Sequence, residues 1–163
     1  MILSTVLQRS IRIVALCATI CLTLAACSNS SSPSDTPTGT VSATVDGTSF
    51  TASVATSAVH TGGVLAIAGS DSRGRQIQLR IIGAEATGTY PLGGLTNPNV
   101  ATVTLAPEAS QTYVTSMVDG TGSINLTELT ASKVAGTFSF TASNSARIQK
   151  TVTNGTFNLT ISK

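Results

Sequence analysis

Tryptophan is absent, histidine occurs once, and only 10% of the 163 residues are charged. Each shortage excludes something. A single histidine, with no cysteine beyond Cys27, leaves no usual zinc ligand set in the C-terminal part of the chain. The formal charge of +2 comes from Arg9 and Arg12 at the extreme N-terminus, since the remaining seven basic residues are matched by seven acidic ones. A neutral chain without a basic cluster has no electrostatic footprint for nucleic acid. No convincing helical stripe appears after residue 40. Aromatic platforms for sugars are also scarce. Phe50, Phe138, Phe140 and Phe157 fall at core phase, so Tyr90 and Tyr113 are the only surface aromatic candidates.

What is present begins with an export signal. Arg9 and Arg12 precede Ile13 to Leu24, a run without charge, and small residues Ala25 and Ala26 follow. The run is shorter than the roughly 20 residues of a spanning helix, so it reads as a cleavable leader. Cys17 and Cys21 inside it read as small hydrophobes lost with the leader. Leu24-Ala25-Ala26-Cys27 resembles the bacterial lipobox. The resemblance implies that the Cys27 sulfur receives a diacylglyceryl group and that the chain is cut before it. Thiolate is the natural nucleophile for such a thioether. Two or three acyl chains on one residue suffice for stable anchoring. The partner expected from this is the membrane itself, reached through Cys27.

Residues 28 to 40 contain only Ser, Asn, Pro, Asp, Thr and Gly, a composition that reads as a spacer without a core. Ser28, where enteric-type bacteria place Asp as an inner-membrane retention signal, implies by that resemblance an outer-membrane location. The expected organisation is a leader over 1–26, an anchor and linker over 27–40, and one domain over 41–163. With no cysteine after Cys27, that domain folds without an internal disulfide.

The domain is rich in Thr, Val, Ile, Ser, Ala and Gly, and apolar residues recur with period 2. Val41, Ala43 and Val45 lead to Asp46-Gly47, a two-residue hairpin signal that sets Ala43 opposite Phe50 and Val41 opposite Ala52. Leu65 and Ile67 mark a strand, and Ile77, Leu79 and Ile81 mark the next. "GTYPLGG" is expected to close that strand, with Pro91 and two glycines breaking it. Further strands carry Ala101 to Leu105, Tyr113 to Met117, Ile124 to Leu126 and Val134 to Phe140. Asn154-Gly155 is expected to turn a last hairpin, pairing 148–152 with 157–161, a bulge within one long strand being the alternative. The fold class is all-β, an antiparallel sandwich or closed meander barrel of about ten strands.

The segments "TVDGTSFTA", "LAIAGS", "QIQLRI", "GTYPL", "GSINLTEL", "KVAGTFSFTA" and "VTNGTFNLTIS" occur in this order. The arrangement resembles a family of small bacterial lipoproteins carrying a β-rich domain of unknown function. Its most specific pieces are V-x-G-T-F-S-F-x-A and the final N-G-x-F. Phe50 stands where that family suggests Trp. The resemblance implies an envelope β-domain and carries over no catalytic or ligand-binding residue.

Chemistry-bearing residues are few. His60 has Ser57 nearby but no nucleophile-elbow pattern, and it reads as a solvated strand-end residue. Asp71, Arg73 and Arg75 crowd the loop "DSRGR", a candidate partner-binding tip or a plain solvated loop. Glu85, Glu108, Asp119 and Glu128 lie on separate turns and suggest no glycosidase pair. No run matches a calcium loop. The expectation is a protein without a cofactor that is not an enzyme, its β-domain serving interaction or structure. The alternative is a carrier of a small apolar ligand in a barrel cavity.

Overall fold

The computed structural model describes residues 39–116 and 118–162. The leader, Cys27, the linker up to residue 38, and Met117 lie outside the described residues. Gly39 and Thr40 lie in the first described strand. Eleven strands follow: β1 (Gly39–Val45), β2 (Thr48–Thr51), β3 (Ala55–Thr61), β4 (Val64–Ser70), β5 (Gln76–Ile82), β6 (Gly88–Leu92), β7 (Val100–Thr104), β8 (Thr112–Val114), β9 (Thr121–Leu129), β10 (Lys133–Ser143) and β11 (Gln149–Thr160).

All strand pairs are antiparallel, in the order β2-β1-β11-β10-β8-β7-β5-β4-β3, with β9 also on β10 and β6 on β9. The path forks at β10. Residues 134 to 141 of β10 pair with β9, and only Ser143 pairs with Val114 of β8. One arm is therefore β2-β1-β11-β10-β9-β6, and the other is β8-β7-β5-β4-β3. The sheet is open rather than a closed barrel. Its loose end β3 meets the C-terminus at a single parallel bridge, where Ser162 N donates to Ala58 O at 2.8 Å.

The arms face each other across one core. In β5, Ile77, Leu79 and Ile81 are at most 2% exposed, while Gln78 and Arg80 point out. Gly69 of β4 shows how close the layers come, since a Cβ there would lie 2.8 Å from Val41 Cβ on β1. Only a residue without a side chain admits that approach.

The first hairpin forms as the sequence indicates. Asp46 (φ 45°) and Gly47 (φ 81°) join β1 to β2, Ala43 faces Phe50, and Ala52 N donates to Val41 O at 2.9 Å. Both central residues have the positive φ of a type I′ turn.

Three expectations are corrected. The segment before Gly62 is a full strand, β3, which periodicity missed. Its inward residues are Thr56, Ala58 and His60, and its most apolar residue, Val59, points outward at 44% exposure. Nor does "GTYPL" close β5. It forms β6, with Pro91 opposite Ser123. Proline is tolerated because β6 is an edge, where no further ladder needs its missing N–H. Its carbonyl accepts from the side-chain amides of Asn97 and Asn99.

The third correction is Asn154-Gly155. No hairpin forms there, and β11 runs straight through as one strand between β1 and β10. Phe138 pairs with Gly155 and Phe140 with Val152. On the other side Ser42 pairs with Thr156 and Thr44 with Thr153. Against both neighbours β11 carries one extra residue, the mark of a bulge. Asn154, at φ 52°, supplies the left-handed step. Ile148 lies outside the strand and is 54% exposed, so the expected Ile148–Ile161 pair does not exist. Lys150 sits opposite Ala142, its Nζ 2.7 Å from Asp46 Oδ2 and 5.8 Å from the Tyr113 ring centroid.

Candidate functional site

The "DSRGR" loop joins β4 to β5, and its geometry explains its composition. Asp71 is buried at 8% exposure. Its Oδ1 accepts from Arg73 N and Arg75 N, both at 3.0 Å. Its Oδ2 accepts from Arg75 Nε at 2.7 Å and pairs with Arg75 Nη2 at 2.7 Å. Arg75 Nη1 donates to Ser49 O of β2 at 3.1 Å, and the guanidinium lies 5.5 Å from the Phe50 ring centroid. Burial alone would raise the Asp71 carboxyl. The Arg75 hydrogen bond, the two backbone N–H groups and the Arg75 charge outweigh it and hold the group below the usual carboxylate range. Asp71 and Arg75 thus clamp this loop to β2 and leave little hydrogen-bonding capacity for a ligand. Arg73 is exposed and makes no ion pair among the described residues.

His60 is half-buried rather than solvated. It sits opposite Leu65, and its Nε2 is buried with no hydrogen-bond partner among the described residues. Ser57 lies three residues away on the same strand and is exposed on the other face, which separates the two as a catalytic pair. No group of three metal-ligating side chains occurs among the described residues. Glu128 pairs with Lys133 at 2.8 Å, and Asp46 with Lys150. Tyr90 is half-buried and donates to Ala86 O at 2.7 Å, while Tyr113 is buried.

A different feature emerges from strand register. Outward residues of the six-stranded arm align in rows across the strands. One row reads Thr51, Ser42, Thr156, Thr137, Asn125 and Thr89 from β2 to β6. The neighbouring row reads Ser49, Thr44, Thr153, Ser139, Ser123 and Pro91, with Ser139 beside the bulge. A shorter row carries Thr151, Thr141 and Thr121. Neither long row holds a charge or a large apolar side chain. Strand geometry spaces such groups about 4.8 Å across and about 6.8 Å along. Some bond each other: Ser42 Oγ and Thr156 Oγ1 share a hydrogen bond at 2.9 Å, and Thr89 Oγ1 donates to Asn125 Oδ1 at 3.3 Å.

The bulge hollows this face. A shallow cleft of about 550 Å³, open to solvent, is lined by Ser123, Asn125, Thr137, Ser139, Thr153, Asn154 and Thr156 together with Phe138 and Gly155. Such a surface donates and accepts neutral hydrogen bonds over a wide area but holds no activated nucleophile, general base or metal ligand. Sequence reasoning missed it. The polar halves of the strands were visible, but their alignment into rows depends on register, which the misplaced last hairpin would have scrambled.

The fold and this face define an antiparallel β-domain with two packed arms and one hydroxyl-rich side. Residues 37–159 match the model of a domain of unknown function, DUF6252, and the chain belongs to that family. No curated protein and no solved structure matches the chain.

Proposed function

We propose that this protein is a bacterial envelope lipoprotein, held on the membrane through Cys27, whose non-catalytic β-domain binds a neutral, hydrogen-bonding partner. The observation that carries the binding role is the Ser/Thr/Asn face across β2, β1, β11, β10, β9 and β6, whose two long rows depart from those residue types at Pro91 alone. The lipobox residues Leu24 to Cys27 support the anchoring. The carrier alternative draws no support from the hollow at the bulge, which is open to solvent rather than enclosed.

Two measurements test the reading. Metabolic labelling with an acyl precursor should mark the wild type and not Cys27→Ser, which should accumulate as an uncut precursor. Equal labelling of both sinks the anchor. A photoreactive residue at Thr137 should give a discrete crosslinked product in intact cells, whereas one at Arg73 should not. Absence of any product from Thr137 sinks the binding face.

A further inference from the structure

Asn154 is singled out by its sequence and by its place in the sheet. Asn154-Gly155 is the only Asn-Gly pair in the chain. Within β11, Asn154 is also the one residue with no register partner on either side. Thr153 pairs with Thr44 and Gly155 with Phe138, but Asn154 pairs with neither β1 nor β10. The irregularities against both neighbours coincide on it.

Its side chain is equally unconstrained. Asn97, Asn99, Asn125 and Asn144 each hold a hydrogen bond through the carboxamide. Asn154 is exposed and makes no side-chain hydrogen bond among the described residues. Gly155 follows without a side chain to shield its nitrogen. Both residues line the solvent-open cleft, so water reaches the linkage between them.

This combination suits one reaction. The Gly155 amide nitrogen gives its proton to water or hydroxide and bonds to Asn154 Cγ. The carboxamide C–N bond breaks, and ammonia leaves with a proton from solvent. The product is a five-membered cyclic imide. Water then opens it at one of its two carbonyls, leaving either aspartate or an isoaspartyl linkage that runs through the former side chain. No electrons are exchanged, and water is the only co-reactant. Turning Asn154 toward the ring geometry breaks no register pair of its own. The additional backbone atom of the isoaspartyl product falls where β11 already carries an extra residue.

We propose that Asn154 is a site of spontaneous deamidation, which places a carboxylate in the neutral cleft of the hydroxyl face. No residue lining that cleft is charged. A carboxamide donates and accepts hydrogen bonds, whereas a carboxylate only accepts. The modification therefore withdraws a donor from the cleft and adds a negative charge. Its effect on a partner rests on the binding role proposed for this face, and the reaction itself does not.

The test ages the full chain at mildly alkaline pH, folded and in urea, and follows each asparagine by peptide mapping and mass. Asn158 is the internal reference, because it is exposed on the same strand but pairs with both Thr40 and Ala135. Folding should slow the exchange of NH for O at Asn154 by less than about tenfold, since no register pair must open there. Asn158 should be slowed at least tenfold more than that. Aspartate and isoaspartate should both appear at 154. A folded chain that keeps Asn154 intact while the urea-unfolded chain loses it overturns the proposal, because the sheet then protects the bulge. Equal slowing at 154 and 158, or aspartate without isoaspartate, overturns it as well. Asn154→Asp, checked for an unchanged urea midpoint, should lower crosslinking from a probe at Ser139 at least threefold. Undiminished crosslinking overturns the effect on binding and leaves the modification standing. Absence of crosslinking in the unaged wild type sinks the binding face alone.

Discussion

Phe138 covers Gly155 so closely that a Cβ at position 155 would lie 2.5 Å from its ring. The same device recurs one turn of the pleat away. A Cβ on Gly136 would strike the Asn125 carbonyl oxygen on one side and lie 2.7 Å from Phe157, the residue paired opposite it. Phe138 in turn stacks with Phe140 and with Phe157, each at 6.2 Å between ring centroids. The motifs V-x-G-T-F-S-F-x-A and N-G-x-F are therefore two halves of one packing unit, in which each glycine makes room for an aromatic ring on the adjacent strand. Gly155→Ala should overpack this unit and destabilise the domain by about 1–3 kcal/mol in denaturant unfolding. Asn154→Gly, which keeps the left-handed step, should change stability by well under that amount. If Gly155→Ala matches the wild type, the Phe138 ring does not depend on the glycine.

Asp46 and Asp71 make acid stability a test of the two clamps. At Asp46 the Lys150 hydrogen bond, then the Thr151 N–H, holds the carboxyl below its ordinary value, against a smaller opposing effect of burial. Asp71 is likewise lowered, with burial opposing and Arg75 and two backbone donors prevailing. A carboxyl depressed in the folded state binds protons more readily when unfolded, where its pKa is about 3.9. Its stabilisation is therefore complete above that value and is lost as pH falls through the folded pKa. Stability followed by urea midpoint should fall steeply below about pH 4. Asp71→Asn should flatten that fall and lower stability at pH 7 by about 2–3 kcal/mol, because Arg75 loses a charged partner. Asp46→Asn should have the smaller effect, since its pair is more exposed to solvent. An unchanged acid profile in Asp71→Asn would separate the loop clamp from acid unfolding.

Legibility followed physical signal strength. Strands with large inward side chains, such as Ile77, Leu79 and Ile81, were readable because burial selects them strongly. The Asp46-Gly47 hairpin was readable because two adjacent positive φ angles restrict composition. β3 was not readable, because its inward set is Thr56, Ala58 and His60 while Val59 faces out. Pro91 read as a breaker because sequence does not show that β6 is an edge. Asn154-Gly155 misled because a bulge and a type I′ turn make the same demand on Asn, a positive φ in a single residue. What separated them was long-range: β1 and β10 both pair along β11. The hydroxyl face was hidden for the same reason, since rows exist only once six strands are in register.

His60 offers a local test. Its Nε2 is buried and unpartnered among the described residues, so the ring carries an unmet desolvation penalty. Replacing it by an apolar residue of similar size removes that penalty. His60→Leu should be neutral or stabilising by up to about 1 kcal/mol in thermal unfolding. It should leave crosslinking from Thr137 unchanged. Destabilisation beyond that size would mean that the ring nitrogen has a partner in solution, and lost crosslinking would tie the residue to binding.

The last test separates the hydroxyl face from the fold beneath it. Thr137 and Thr156 face each other at the centre of the longest row, both exposed. Valine keeps their β-branching and nearly their volume, and strands accept it at least as well as threonine. Thr137→Val combined with Thr156→Val should therefore leave unfolding stability within about 0.5 kcal/mol, as expected for surface substitutions. The exchange removes two hydroxyls, and with one of them the 2.9 Å bond between Thr156 and Ser42. A partner held by neutral hydrogen bonds at this face should then lose at least tenfold in affinity, read as the yield of crosslinking from a probe placed at neighbouring Ser139. A partner held by shape or by apolar contact would bind equally well or better. Intact folding with undiminished crosslinking would therefore remove hydrogen bonding as the basis of recognition at this surface.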